Sequence, residues 1–147
     1  MLKIPALLAL VVTLFATSQA HAVSLEFRGK AGQVWKLELP LQTTDTVGAL
    51  TIRALDQLKA QGKIQTYNGY ESGLVSVNEM GNDVEVISDT VMKAYGWCFH
   101  LNGVESDRMP DQVRPTKNTD KLLWYWAYAY YDREWKQMCV PAGSAAH

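Results

Sequence analysis

Apolar and polar residues alternate through Ser24-Leu25-Glu26-Phe27-Arg28 and again through Trp35-Lys36-Leu37-Glu38-Leu39, with Gly29-Lys30-Ala31-Gly32 between the two runs. A period of two marks a half-buried strand, so this spacing predicts a hairpin. Pro40 ends the second strand because it has no N–H to give to a ladder. The period then changes. Asp45 or Thr46 can cap a helix, Val47, Leu50, Ala54, Leu55 and Leu58 fall on one face of it, and Gly62 supplies the stop. A helix with one apolar face must lie against a sheet.

Ile64 to Tyr70 and Leu74 to Val77 read as short strands parted by Gly69, Ser72 and Gly73. Asn78 to Thr90 gives no firm element, only a brief alternation at Val84-Glu85-Val86-Ile87. From Gly96 the pattern clears. Trp97, Phe99 and Leu101 share one face of a strand, Cys98 and His100 take the other, and Asn102-Gly103 is a hairpin signal. Glu105 to Asp120 is polar, carries Pro110 and Pro115, and reads as a long loop. Leu122-Leu123-Trp124-Tyr125-Trp126-Ala127-Tyr128 is apolar on both faces, as in a central strand or one whose second face meets a ligand or partner. Two strands, one capped helix and further strands make an α+β domain, and a β-grasp fits that order.

The start of the chain has another character. Lys3, the apolar run from Ala6 to Ala16 broken only by Thr13, and small residues at Ser18, Ala20 and Ala22 have the layout of a cleaved secretory signal peptide over residues 1–22. The run is too short to cross a bilayer, and cleavage after Ala20 or after Ala22 satisfies the small-residue rule equally. The expected product is periplasmic or secreted, with no membrane span in the mature chain. It holds one domain, residues 23–140, and a flexible tail, residues 141–147. Export also decides how Cys98 and Cys139 are read: in an oxidising compartment the simplest outcome is a disulfide between them. A metal or redox pair is the rival reading, and no CxxC spacing supports it.

Charge excludes more than it suggests. Of 14 basic and 15 acidic residues only Lys3 is lost with the leader, so 13 − 15 leaves a net charge near −2. Nothing in that balance favours nucleic acid or an anionic membrane. The distinctive chemistry is aromatic. Half of the Trp and Tyr residues of the mature chain, Trp124, Tyr125, Trp126, Tyr128, Tyr130 and Tyr131, lie within eight positions. Such side chains give large contact areas at small entropic cost and suit flat ligands or protein interfaces.

The candidate ligand-binding residues are accordingly Tyr67, Tyr70, Trp97, Trp124, Tyr125, Trp126, Tyr128 and Tyr131. Against this stands simple packing: Trp124, Trp126 and Tyr128 alternate and could fill the core under the helix, leaving Tyr125 and Tyr131 facing outward. Trp97 beside Cys98 also suits packing. No nucleophile, base and orienting group can be assembled around His100, Ser106, Asp107 or Asp111, so neither catalytic residues nor a metal or cofactor set is assigned.

The run Gly96-Trp97-Cys98-Phe99-His100-Leu101-Asn102-Gly103, followed by Asp120-Lys121-Leu122-Leu123-Trp124-Tyr125-Trp126, resembles the transcobalamin C-terminal-domain-like family. Asp45-Thr46-Val47-Gly48-Ala49-Leu50 is similar to the helix-opening segment of that family, while Thr119 stands where a glycine is usual before Asp120. The resemblance implies a non-catalytic β-grasp module of the soluble ligand-binding type, with a corrinoid-like, ring-bearing ligand as the expected partner. A protein-interaction module docking on an envelope protein is the alternative, and a hydrolase built on the Glu105 to Asp111 loop is a third reading.

Overall fold

The computed structural model describes residues 22–143; the expected signal peptide, residues 1–22, lies outside them but for Ala22, and the expected tail, residues 141–147, lies outside them after Gly143. Among the described residues the chain is an α+β fold, mostly sheet with one α-helix. Its elements are β1 (Val23–Arg28), β2 (Val34–Leu39), α1 (Val47–Ala60), β3 (Tyr67–Tyr70), β4 (Gly73–Val77), β5 (Asp83–Ser88), β6 (Val91–Leu101), β7 (Val104–Glu105), β8 (Lys121–Asp132) and β9 (Trp135–Pro141). The main sheet runs β2-β1-β8-β6-β5, with β7 on β6 and β9 on β8, while β3 and β4 form a separate hairpin. β1 and β8 are parallel, and the other pairs are antiparallel.

The helix begins as its capping residues dictate. Thr46 takes the cap, its Oγ1 accepting from the Ala49 N–H at 3.0 Å. Asp45 serves the preceding loop instead. Its Oδ2 accepts from the Gln42 N–H at 2.7 Å and from Arg53 Nη2 at 2.8 Å, which ties that loop to the helix. Gly62, at φ +69°, turns the chain out of the helix, and the Lys63 N–H reaches back to the Leu58 carbonyl at 2.9 Å. Val47, Leu50, Ala54, Leu55 and Leu58 are all buried against Val23, Leu25, Phe27, Leu122 and Trp124 of the sheet.

Two close fits hold α1 in place. Trp124 Nε1 donates to Thr51 Oγ1 at 2.8 Å, and that hydroxyl donates to the Val47 carbonyl at 2.7 Å, so a buried indole is satisfied inside the core. Gly48 lets the Glu71 backbone, in the turn between β3 and β4, approach so closely that a Cβ there would stand 1.8 Å from the Glu71 carbonyl oxygen.

Cross-strand register defines two faces. Leu122, Trp124, Trp126, Tyr128 and Tyr130 of β8 share the helix face with Trp97 and Phe99, whereas Leu123, Tyr125, Ala127, Ala129 and Tyr131 share the opposite, open face with Cys98 and His100. The Asn102-Gly103 turn has both residues at positive φ, 54° and 79°, as a two-residue hairpin between β6 and β7 requires. β8 is central, as its two-sided apolar pattern indicates. β5 and β9 complete stretches that had no firm reading from the sequence; bulges interrupt the register of both and blur their period of two.

The Asn-Gly and Asp motifs that carry the family resemblance form one structural clamp. Asp120 Oδ1 accepts from Asn102 Nδ2 at 3.0 Å, its Oδ2 accepts from the backbone N–H groups of Thr116 and Lys117 at 2.8 and 3.0 Å, and Asn102 Oδ1 accepts from the Lys121 N–H at 2.9 Å. Burial by itself would raise the Asp120 pKa, but these donors outweigh it and hold the carboxyl below the ordinary 3.8. Cys98 and Cys139 form a disulfide, with Cα atoms 5.8 Å apart, that ties β9 to the centre of the sheet. Among the described residues no helix is long and apolar enough to cross a membrane.

Candidate ligand-binding cleft

β1 and β9 share one edge of β8, end to end. β1 pairs with β8 as far as Arg28 opposite Tyr125, and β9 begins its pairing from the other direction at Pro141 opposite Ala127. Between those ends the Ala142 N–H reaches the Trp126 carbonyl, at 2.9 Å. The interruption opens a cleft of about 520 Å³ on the open face. Leu123, Tyr125 and His100 form its floor, the β1–β2 turn from Arg28 to Val34 one wall, and Pro141 to Gly143 the other.

The floor is organised by a single hydroxyl. Tyr125 Oη lies 3.0 Å from His100 Nε2 and 3.3 Å from the Cys139 carbonyl oxygen. With one proton to give, the phenol donates to only one of these; when it donates to Cys139, His100 must present its Nε2–H to the phenol oxygen. Burial, with a smaller contribution from the Glu105 carboxylate, pushes the Tyr125 pKa up to about 12. The hydroxyl therefore stays protonated at physiological pH and acts as a neutral hydrogen-bonding group. Through Cys139 it is also tied to the disulfide that pins β9, and so to the far wall of the cleft.

The mouth carries charge. Arg28 Nε lies 2.5 Å from Glu26 Oε1 and Lys36 Nζ lies 3.2 Å from Glu26 Oε2, so two cations share one carboxylate. Burial would raise the Glu26 pKa, but hydrogen bonds and charge from Arg28 and Lys36 leave it lowered. Among the described residues no acidic side chain lines the cleft itself.

The eight aromatic residues singled out from the sequence do not form one site. Tyr125 lines the cleft from the open face, and Trp126 borders it while its ring packs on the helix face against Tyr95 and Trp97. Trp97 and Trp124 are buried in the core, Trp97 donating from Nε1 to the Met80 carbonyl at 3.0 Å, and both border a smaller hollow of about 280 Å³ beside Met109 and Pro110. Tyr128 lies on the helix face beyond the helix, with Lys93 Nζ 4.9 Å above its ring and Tyr95 tilted against it. Tyr131 is on the open face at the far end of β8, edge-on to Trp135. Tyr67 and Tyr70 sit on the separate β3–β4 hairpin. There Tyr67 donates to Asp56 Oδ1 at 2.5 Å, a bond that raises its pKa to about 12, while Tyr70 is 67% exposed.

The lining residues that sequence reasoning passes over are Arg28, Leu123 and the Pro141 to Gly143 segment. Alternation alone puts Arg28 and Leu123 on outward-facing positions of their strands. What brings them together is the parallel β1–β8 register, which no local pattern encodes. Among the described residues no three His, Cys, Asp or Glu side chains stand close enough to hold a metal ion.

No family model matches the chain, and no curated protein matches it. Among solved structures it is similar to a Ruminococcus gnavus protein called a "putative metal binding protein", at 15% identity and a TM-score of 0.45, over 74% of this chain and 98% of that one.

Proposed function

We propose that the chain is an exported, non-catalytic binding module that takes a small ring-bearing molecule in the cleft between the ends of β1 and β9. The observation that carries this reading is the cleft: at about 520 Å³ it falls within the size range of small-molecule sites, and its mainly apolar lining converges on a few polar groups, His100 Nε2, the Tyr125 hydroxyl and Arg28. A neutral phenol with a raised pKa and an imidazole already engaged with it suit holding a ligand better than abstracting a proton.

Export is supported by the disulfide, which persists in oxidising compartments. The order β2-β1-β8-β6-β5, with β1 parallel to β8 and a helix after the first hairpin, supports reading the sheet as a β-grasp. The transcobalamin-like resemblance nominates a corrinoid. So large a ring system would seat only an edge in this cleft.

The test is a thermal-shift screen of the mature protein with cobinamide, haem and smaller aromatic compounds, followed by NMR mapping of any that bind. The expected result is stabilisation, with amide shifts centred on Gly29, Tyr125 and Ala142, lost when Leu123→Trp fills the floor. Shifts confined to Tyr67 and Tyr70, or no stabilisation by any ring compound, would overturn it.

A second reading, docking of an extended segment of another protein along β5, is favoured by that strand's exposure. All six residues of β5 are exposed, with Val84 and Val86 on one face and Asp83 and Glu85 on the other. An added strand with alternating apolar and basic residues would match both faces. NMR shifts confined to Asp83–Ser88 on adding an alternating Lys-Val hexapeptide would favour it, and none would remove it.

A further inference from the structure

We propose, resting on the cleft as the binding site, that the ligand carries a carboxylate on its planar ring and that the guanidinium fork of Arg28 receives it. Arg28 lies opposite Tyr125 in the parallel register and projects on the same face as Leu123 and Tyr125, about one strand spacing (roughly 4.8 Å) from them. A ring lying over Leu123 and Tyr125 therefore brings a substituent on its β1 side to the guanidinium.

Three observations favour an acid over a neutral or cationic ligand. Glu26 engages Arg28 through Nε alone, and the two Nη groups have no partner among the described residues. The bond to Nε also restrains the guanidinium, leaving the two-nitrogen edge that pairs bidentately with carboxylates. Glu26 is shared with Lys36, so among the described residues two positive charges meet one negative charge at the mouth. Among the described residues the cleft lining adds no carboxylate, and Glu105, which acts on Tyr125, stands opposite His100 on the β7 side, away from β1. One surplus positive charge matches a monoanion.

The contact is partly solvated, since the Arg28 side chain is 57% exposed, so its contribution is a preference among ligands rather than the whole of the affinity. The ring supplies the rest through apolar contact with the floor.

The probes are 2-naphthoate and its uncharged counterpart 2-naphthamide, titrated into the mature protein with affinity read by NMR. Naphthoate is expected to bind about tenfold more tightly than the amide, a typical effect of one charge-assisted bidentate contact. Arg28→Gln should abolish the difference, bringing naphthoate to the affinity that the amide has for the same variant. Arg28→Lys, which keeps the charge but not the fork, should fall between. Equal affinities in the native protein, or a preference that survives Arg28→Gln, would overturn the carboxylate proposal while leaving the cleft reading intact. Failure of both naphthalenes to shift the cleft amides at millimolar concentration would overturn the two together.

Discussion

Asp120 shows how one side chain can organise a loop. Its two oxygens collect three donors from two segments, the Asn102 turn and the Thr116–Lys117 backbone, and it is 6% exposed. Because these donors favour the ionised form, the folded pKa lies below the unfolded value, and the group contributes stability above pH 3.8 that is lost as pH falls further. Asp120→Ala should cost about 2–4 kcal/mol at neutral pH, since it orphans several donors at once. It should also flatten the acid limb of a stability-against-pH curve measured by urea unfolding. An acid limb identical to that of the parent protein would contradict the assignment. At this scale the sequence is a partial guide. Asn102-Gly103 announces a turn from its composition, but that Asn102 also holds Asp120 depends on a loop closure 18 residues long.

At the scale of elements, α1 depends on a close approach as much as on its apolar face. Gly48 in the first turn of a helix would ordinarily be improved by alanine, by up to about 1 kcal/mol. Here a Cβ would strike the Glu71 carbonyl, a backbone atom that cannot move aside cheaply. Gly48→Ala is therefore expected to destabilise by about 2 kcal/mol, the usual scale of overpacking, visible as a lower urea midpoint with an unchanged slope. A raised midpoint would mean that the β3–β4 turn yields freely.

The sequence discloses β1, β2 and α1 through an unbroken period, β3, β4 and the Trp97 to Leu101 part of β6 as short strands, and the core of β8 through its two-sided apolar run. β9 escapes because two register shifts and the left-handed residue Cys139 erase its alternation. β5 shows only as the brief Val84–Ile87 alternation because it is bulged after Val86 and exposed throughout. The aromatic run of β8 points to the right strand. The strand's two faces divide its rings: Tyr125 faces the cleft between β1 and β9, whereas Trp124 and Trp126 pack on the helix face, and of the eight candidates only Tyr125 and Trp126 border that cleft.

For the whole molecule, the disulfide spans 41 residues and joins the last strand to the sheet centre. Chain-entropy arguments assign such a loop about 4 kcal/mol. Reduction, or Cys98→Ser with Cys139→Ser, should lower Tm by roughly 15 °C in a domain of this size. It should also weaken ligand binding, because the Pro141 to Gly143 wall and the Cys139 carbonyl that meets Tyr125 are held by the same link. Calorimetry and titration on the reduced protein check both; unchanged affinity with lowered Tm would separate the wall from the bridge.

The gap between the ends of β1 and β9 is made by where two strands stop, so its existence does not depend on which side chains surround it. Arg28, Val34 and Leu123 border it without being fully buried, and each can change while the ladders that create the opening stay as they are. Such a slot is an interchangeable socket: the scaffold holds its position, and a handful of substitutions can give it a new occupant.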